Sequence, residues 1–254
     1  MSKECRFATQ FLQMKIALIG YGKMGRTIEQ VINEQHNNQD EIVLKIGENN
    51  LNDFTVENLR KADVAIEFTQ PEAAIANIYK CFEAGVPVVV GTTAWLNKLA
   101  EVSEVCKAKN GTLFYAPNFS IGVNIFFEVN RQLAALMNRQ PQYEVSMEEI
   151  HHTEKKDAPS GTAIKAAEVM LSELKRYHSW QLDVAENATS FPIVAKREPE
   201  VPGTHTVTYK CGVDELVFTH QAHSRKGFAE GAVAAARWVI GKKGVFQMKD
   251  MLAL

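Results

Sequence analysis

A glycine turn constrains this chain most. Gly20-Tyr21-Gly22-Lys23-Met24-Gly25 directly follows the apolar run Lys15-Ile16-Ala17-Leu18-Ile19. That run is too short for a helix and reads as a buried parallel strand. Residues 26–37 follow as a helix, with Ile28, Val31 and Ile32 on one face. The first glycine permits a tight turn, the second lets a pyrophosphate approach the backbone, and the third lets helix and strand pack closely. The helix start then offers free N–H groups and a positive dipole end to phosphates. The alternative is a purely structural turn, but the strand before and helix after supply the context of a dinucleotide site. Residues 41–46 read as the second strand. Glu48, just past it, is either a carboxylate for the adenosine ribose hydroxyls or an ordinary loop residue.

The alternation continues with strands at 63–68, 86–90 and 112–115 and helices at 72–84 and 95–108. Pro71 suits a first helical position and Gly85 a helix end. Strict alternation predicts a Rossmann-type, doubly wound parallel sheet. Gly91-Thr92-Thr93 and Ala116-Pro117-Asn118-Phe119 end two of its strands. Ligands bind at such strand ends, so these residues suit a nicotinamide or its ribose; plain turn chemistry is the alternative.

The pattern changes after Asn118. A helix at 123–137 leads to an alternating strand at 143–150 that runs into His151-His152. A helix at about 162–177 and strands at 191–195, 205–210 and 215–221 precede a last helix at 228–240. Consecutive strands predict a second, α+β domain with a mixed or antiparallel sheet. The expected division is 14–120 for the dinucleotide domain, with 225–254 packing back on it, and 121–224 for the substrate domain. Residues 1–13 read as an extension.

The stretch richest in chemistry is Glu149-Ile150-His151-His152-Thr153-Glu154-Lys155-Lys156-Asp157-Ala158-Pro159-Ser160-Gly161-Thr162-Ala163. Ser160 or Thr162 can cap the helix that opens there, and its free N–H groups can bind a carboxylate. Lys155 adds positive charge, and a histidine titrates near neutral pH. His151 and Lys155 are expected in a polar, unburied loop; the bland alternative is a solvated loop with a good cap. No metal is expected, because adjacent histidines rarely share an ion and no carboxylate or cysteine stands at a usual spacing. His220 and His223 would face opposite ways on a strand.

Composition narrows the class. The chain has 254 residues, 46% hydrophobic and 23% charged, with a formal net charge of -2. No basic excess calls for nucleic acid. No apolar run approaches the ~20 residues of a membrane span. Cys5, Cys81, Cys106 and Cys211 are scattered, which fits a reducing, cytoplasmic compartment.

At the 149–163 stretch the sequence resembles the 4-hydroxy-tetrahydrodipicolinate reductase (dihydrodipicolinate reductase) family. Phe68-Thr69-Gln70-Pro71-Glu72, Gly91-Thr92-Thr93, Asn118-Phe119-Ser120-x-Gly122-Val123 and Phe228-Ala229-x-Gly231-Ala232 carry the same resemblance. It implies His151 as proton donor or acceptor and Lys155 as a second donor. It implies His152, Ser160, Gly161 and Thr162 as the substrate's carboxylate site. Residues Gly20 to Gly25, Gly91 to Thr93 and Ala116 to Phe119 would line the cofactor. It also implies a homotetramer assembled through the second domain, and a small dicarboxylate as partner. Two departures stand out: a short segment between Thr162 and the last helix, and Glu149-Ile150 where many members carry Glu-Ala.

The expected activity is reduction of 4-hydroxy-tetrahydrodipicolinate with NADH or NADPH, on the diaminopimelate route to lysine. The alternatives are another two-domain nicotinamide dehydrogenase and a non-catalytic dinucleotide sensor. Glu48 favours NADH by repelling a 2′-phosphate, while Lys23 pulls toward NADPH. No arginine follows Glu48, so dual use with a modest NADH preference is expected.

Overall fold

The computed structural model describes residues 13–34 and 40–254. The expected extension, beyond Gln13, and the expected helix end at 35–37 lie outside them. In chain order the elements are β1 (Lys15–Ile19), α1 (Lys23–Glu34), β2 (Glu41–Ile46), the single turn α2 (Val56–Leu59), β3 (Val64–Glu67), α3 (Pro71–Ala84), β4 (Val88–Val90), α4 (Leu99–Ala108) and β5 (Thr112–Tyr115). There follow α5 (Ile121–Met137), β6 (Glu144–His151), α6 (Gly161–Glu173), β7 (Ser179–Leu182), β8 (Ser190–Arg197), β9 (Gly203–Lys210), β10 (Glu215–Ala222), α7 (Lys226–Val239), β11 (Gly244–Phe246) and α8 (Met248–Leu252). Two compact units result. One runs to Pro117 and takes in Ala229–Met251; the other is Asn118–Phe228 with Leu252–Leu254.

The first unit holds a parallel sheet in the order β11-β5-β4-β3-β1-β2. Strand order reverses at β1, the place where such sheets open a ligand crevice beyond their carboxyl ends. β3, β4 and β5 are buried along their whole length, as strands covered on both faces must be. The core gathers Ala17, Ile19, Ala65, Val88, Val90 and Leu113 with Ile78 and Phe82 of α3. Pro71 opens α3, and Gly85 closes it in the left-handed region at φ 73°.

In the second unit a mixed sheet runs β10-β9-β6-β8-β7. β6 lies parallel to β8 and antiparallel to β9. Its alternation sends Val145, Met147, Glu149 and His151 inward. Val145 and Met147 pack with Phe126 and Met137 of α5 and with Ala163, Ala166 and Met170 of α6. The opposite sheet face carries Ser146, Ile150, Thr204, Thr206 and Thr208, half-buried, beside the exposed Val217 and Thr219.

Several boundaries differ from expectation. α1 starts at Lys23 rather than residue 26, because the last residues of the glycine turn already form its first helical turn. α6 ends at Glu173 rather than near 177. β7, β11 and the single turn α2 were not expected. Their runs are too short to show a period, and pairing with β8 or β5 creates the two strands.

Gly20 is where the backbone tolerates least change. It sits at φ 95°, and an added Cβ would lie 2.0 Å from the Phe68 carbonyl oxygen. Gly20→Ala should therefore cost at least about 2 kcal/mol of first-unit stability. Urea unfolding of the variant checks this; a wild-type midpoint would contradict it.

Candidate active site

In the first unit, the residues expected to meet the cofactor gather at the carboxyl edge of the parallel sheet. Gly20 and Tyr21 donate their N–H groups to the Ile46 carbonyl, both at 2.9 Å, which draws the glycine turn against the end of β2. A Cβ at Gly25 would lie 2.4 Å from the Gly20 carbonyl oxygen, so the close helix–strand approach requires glycine there. A Cβ at Gly22 would meet nothing within 4 Å. This open backbone before α1 fits a pyrophosphate, which approaches by N–H groups alone. Glu48 begins the short turn after Gly47 and is exposed.

Further along the same edge, Thr69 N–H donates to Thr92 Oγ1 at 2.7 Å and Trp95 Nε1 to the Thr92 carbonyl at 2.8 Å. Gly91 has no room for a side chain, because Phe68 would lie 2.0 Å from its Cβ. Glu67 is fully buried beneath these loops and bonds Asn77 Nδ2 at 3.2 Å and the Thr69 hydroxyl. Burial pushes its carboxyl above the usual range.

Two further features bear on this edge. Asn118 and Phe119 directly follow Pro117, where the chain passes into the second unit: Asn118 Oδ1 accepts the Ser120 N–H at 2.9 Å before α5, and Phe119 is buried. A planar cation also lies beside the glycine turn, although none follows Glu48 in the sequence. Arg26 of α1 stands 5.8 Å from the Tyr21 ring centroid, and Lys45 of β2 stands 5.3 Å from it. Lys45 Nζ is bonded to Glu29 at 3.1 Å.

In the second unit the 149–163 stretch is one assembly. His151 is the last residue of β6 and only 8% exposed, not part of an open loop as expected. Strand alternation places Glu149 on its face, and register sets His205 across from Glu149 and Arg197 across from His151. Glu149 is fully buried. Its two oxygens accept the Ser160 N–H at 3.0 and 3.1 Å. Oε2 lies 3.5 Å from His151 Nδ1 and 3.7 Å from His205 Nε2, and Oε1 lies 3.6 Å from an Arg197 nitrogen. The ligand-type atoms of Glu149, His151 and His205 fall within 4.8 Å of one another, which spacing along the chain did not reveal. The Ser160 N–H is hydrogen-bonded to the carboxylate and Arg197 faces it as a counter-charge, while Nδ1 of His151 and Nδ1 of His205 have no hydrogen-bond partner.

The following loop is pinned as well. Lys155 Nζ bonds both carboxylate oxygens of Asp157 at 2.8 Å, and this ammonium holds the Asp157 carboxyl below its usual range. Arg197 donates to the carbonyls of Lys155 at 3.3 Å and Asp157 at 2.6 Å. Arg197 and Glu149 are functional neighbours that sequence reasoning did not single out. The period of β6 could have revealed Glu149; nothing local pointed to Arg197 or His205.

Ser160 caps α6, as its side chain predicts. Its Oγ accepts the Ala163 N–H at 3.1 Å and meets His205 Nε2 at 3.1 Å, and its carbonyl takes the Ile164 N–H. The N–H groups of Gly161 and Thr162 remain as the outward-directed pair at this helix end. A Cβ at Gly161 would meet nothing within 4 Å, so the approach is open. His152 Nε2 lies 3.3 Å from Arg225. The second unit thus holds an open helix start at Gly161, with Lys155 and Arg197 acting on the buried His151 imidazole.

Burial lowers the His151 pKa; Glu149 opposes that, while Lys155 and Arg197 reinforce it. Burial and the neighbouring His151 and His220 push His205 down to about 3. His205 is therefore neutral in the fold and titrates near its ordinary ~6.5 when unfolded. The folded state binds fewer protons below that value, so stability is lost as pH falls from about 6.5 toward about 3. His205→Gln should flatten this fall by up to about 1.4 kcal/mol per pH unit. Denaturant unfolding from pH 7 to 4 measures it, and equal slopes would contradict it.

The chain matches the family model described as dihydrodipicolinate reductase, N-terminus, over residues 14–119, and its C-terminus counterpart over 122–252. It is 48% identical to the 4-hydroxy-tetrahydrodipicolinate reductase of Christiangramia forsetii over 94% of this chain and 98% of that protein. It is 37% identical to the Methanosarcina mazei protein of the same name, over 79% of this chain and 76% of that one. The dipicolinate-bound dihydrodipicolinate reductase from Paenisporosarcina sp. TG-14 shares the fold at a TM-score of 0.79 and 21% identity, covering 96% of this chain and 100% of that one. With its two units matched in turn, the chain belongs to the dihydrodipicolinate reductase family, an NAD(P)H-dependent oxidoreductase family.

Proposed function

We propose that this chain reduces 4-hydroxy-tetrahydrodipicolinate to tetrahydrodipicolinate, with His151 and Lys155 as proton-transferring side chains. The observation that carries the site assignment is the open helix end at Gly161 and Thr162, tied through Ser160 and Glu149 to the buried His151 ring. A helix end with free N–H groups binds a carboxylate, and the charge of Lys155 and the ring N–H of His152 add to it. Such fixation orients a ring for reaction and supplies much of the rate. His151, with Lys155 beside it, passes a proton to the reduced ring, an effect worth ~10²–10⁴-fold.

NADH or NADPH supplies the hydride when bound. The residues to hold it are Gly20 to Gly25 at the pyrophosphate, Glu48 at the adenosine ribose, and Gly91, Thr92, Thr93, Ala116, Pro117, Asn118 and Phe119 along and just past the remaining strand ends. Support for the homotetramer comes from the uncovered face of the second sheet, where Ile150, Val217 and a row of threonines offer a broad β-branched surface. Among the described residues no helix is long and apolar enough to cross a membrane, and Cys81 and Cys106 are buried free thiols. Both fit a cytoplasmic setting.

Loss of nicotinamide absorbance with synthase-generated substrate tests the reading. His151→Ala and Lys155→Ala should each lose about 100-fold or more in turnover while keeping cofactor affinity. Pyridine-2,6-dicarboxylate should compete with substrate, not with cofactor. Near-normal turnover by a folded Lys155→Ala protein removes Lys155 from the mechanism.

Cofactor choice follows from the charges around Tyr21. Glu48 opposes a 2′-phosphate, whereas Lys23 and Arg26 attract it. Glu48→Ala should shift the ratio of catalytic efficiencies toward NADPH, and Lys23→Ala or Arg26→Ala toward NADH. A ratio unchanged in Glu48→Ala would show that Glu48 does not meet the ribose.

A further inference from the structure

We propose that Glu149 is a positioning residue for the reaction: its one buried carboxylate orients the His151 ring and also anchors the Ser160 turn that presents Gly161 and Thr162. The proposal rests on the reading of His151 as proton donor given above.

A fully buried carboxylate is costly unless every oxygen is engaged. Here the Ser160 N–H reaches both oxygens, at 3.0 and 3.1 Å, and Arg197 faces Oε1 at 3.6 Å. His151 Nδ1 is sealed from solvent without a hydrogen-bond partner. Glu149 Oε2, at 3.5 Å, is the acceptor lying against it. A small ring rotation turns that contact into a hydrogen bond, as bonds of this kind tighten when ligand binds. An Nδ1–H committed to the carboxylate leaves Nε2 as the nitrogen that exchanges a proton with substrate. The wall beside Nε2 is Gly203, whose missing Cβ would stand 3.0 Å from it.

The charges around the ring define what Glu149 does there. β6 contributes Glu149, β8 contributes Arg197, β9 contributes the neutral His205, and the following loop contributes Lys155 and Asp157. Burial, Arg197 and Lys155 all work against a protonated ring. Asp157 is exposed and engaged with Lys155, so Glu149 is the buried anion left to hold the proton on His151. The same carboxylate holds the helix start, so proton donor and carboxylate site keep a fixed mutual geometry.

The test is Glu149→Gln in the full chain. The amide has the same shape and still accepts from Ser160, but it carries no charge. Thermal melting should fall, because Arg197 loses its buried counter-charge, while pyridine-2,6-dicarboxylate binding should stay close to wild type. Turnover should fall about 10- to 100-fold. The alkaline limb of the kcat profile, where His151 loses its proton, should move to lower pH. NMR titration of the His151 imidazole in the resting protein should move the same way, and Glu149→Asp should restore part of both shifts. Arg197→Gln supplies an independent variant with the opposite sign: its limb should move to higher pH. Unmoved limbs and an unmoved imidazole titration, with losses confined to melting temperature or KM, would make Glu149 a structural clamp only. If the wild-type protein fails to turn over the substrate, the functional reading fails, while the imidazole titration still decides the Glu149–His151 coupling.

Discussion

The second unit is organised around one buried charge. Glu149 takes the Ser160 N–H on both oxygens and gathers His151, His205 and Arg197 around it. Removing one partner from such a group strands the others in a medium that solvates them poorly. The cluster therefore ties β6, β8, β9 and the start of α6 into one arrangement. This explains why polar residues occupy the last inward positions of β6, where the sheet pattern would otherwise place apolar ones. The strand trades core burial for a defined imidazole and a defined helix end.

The first unit is governed by backbone rather than by charge. Its ligand edge consists of glycines at points where a side chain would collide: Gly20 with the Phe68 carbonyl, Gly25 with Gly20, and Gly91 with the Phe68 ring. Gly22 is the exception, a glycine with space around it. Three of these positions are explained by packing, and the open one fits the pyrophosphate contact proposed above. The division of labour is consistent across the two units. One presents N–H groups from a glycine turn, and the other presents them from a capped helix; both exploit the unsatisfied groups at helix starts.

Much of the architecture was legible from local pattern. Most of the parallel strands are short, largely apolar runs, and β5 and α3 lie close to where period and end signals place them. Short elements were not legible. β7 and β11 exist because a neighbour pairs with them, and pairing leaves little trace in a run of three or four residues. The start of α1 is hidden in the sequence because Lys23, Met24 and Gly25 belong to the glycine turn and also form the first turn of helix.

By itself the sequence determined the residue types that can do chemistry here and the period that orders them. A glycine turn after a strand, a serine cap before a helix and adjacent histidines after an alternating strand are local properties, carried by backbone sterics and by the reach of one side chain. Tertiary structure decided the rest. It buried His151 instead of leaving it in a loop, set Arg197 and His205 beside Glu149 through strand register, and brought Arg26 and Lys45 to Tyr21 from different elements. Burial and long-range charge pairing depend on which strands lie side by side. That is a property of the folded sheet, because no local segment contains both members of such a pair.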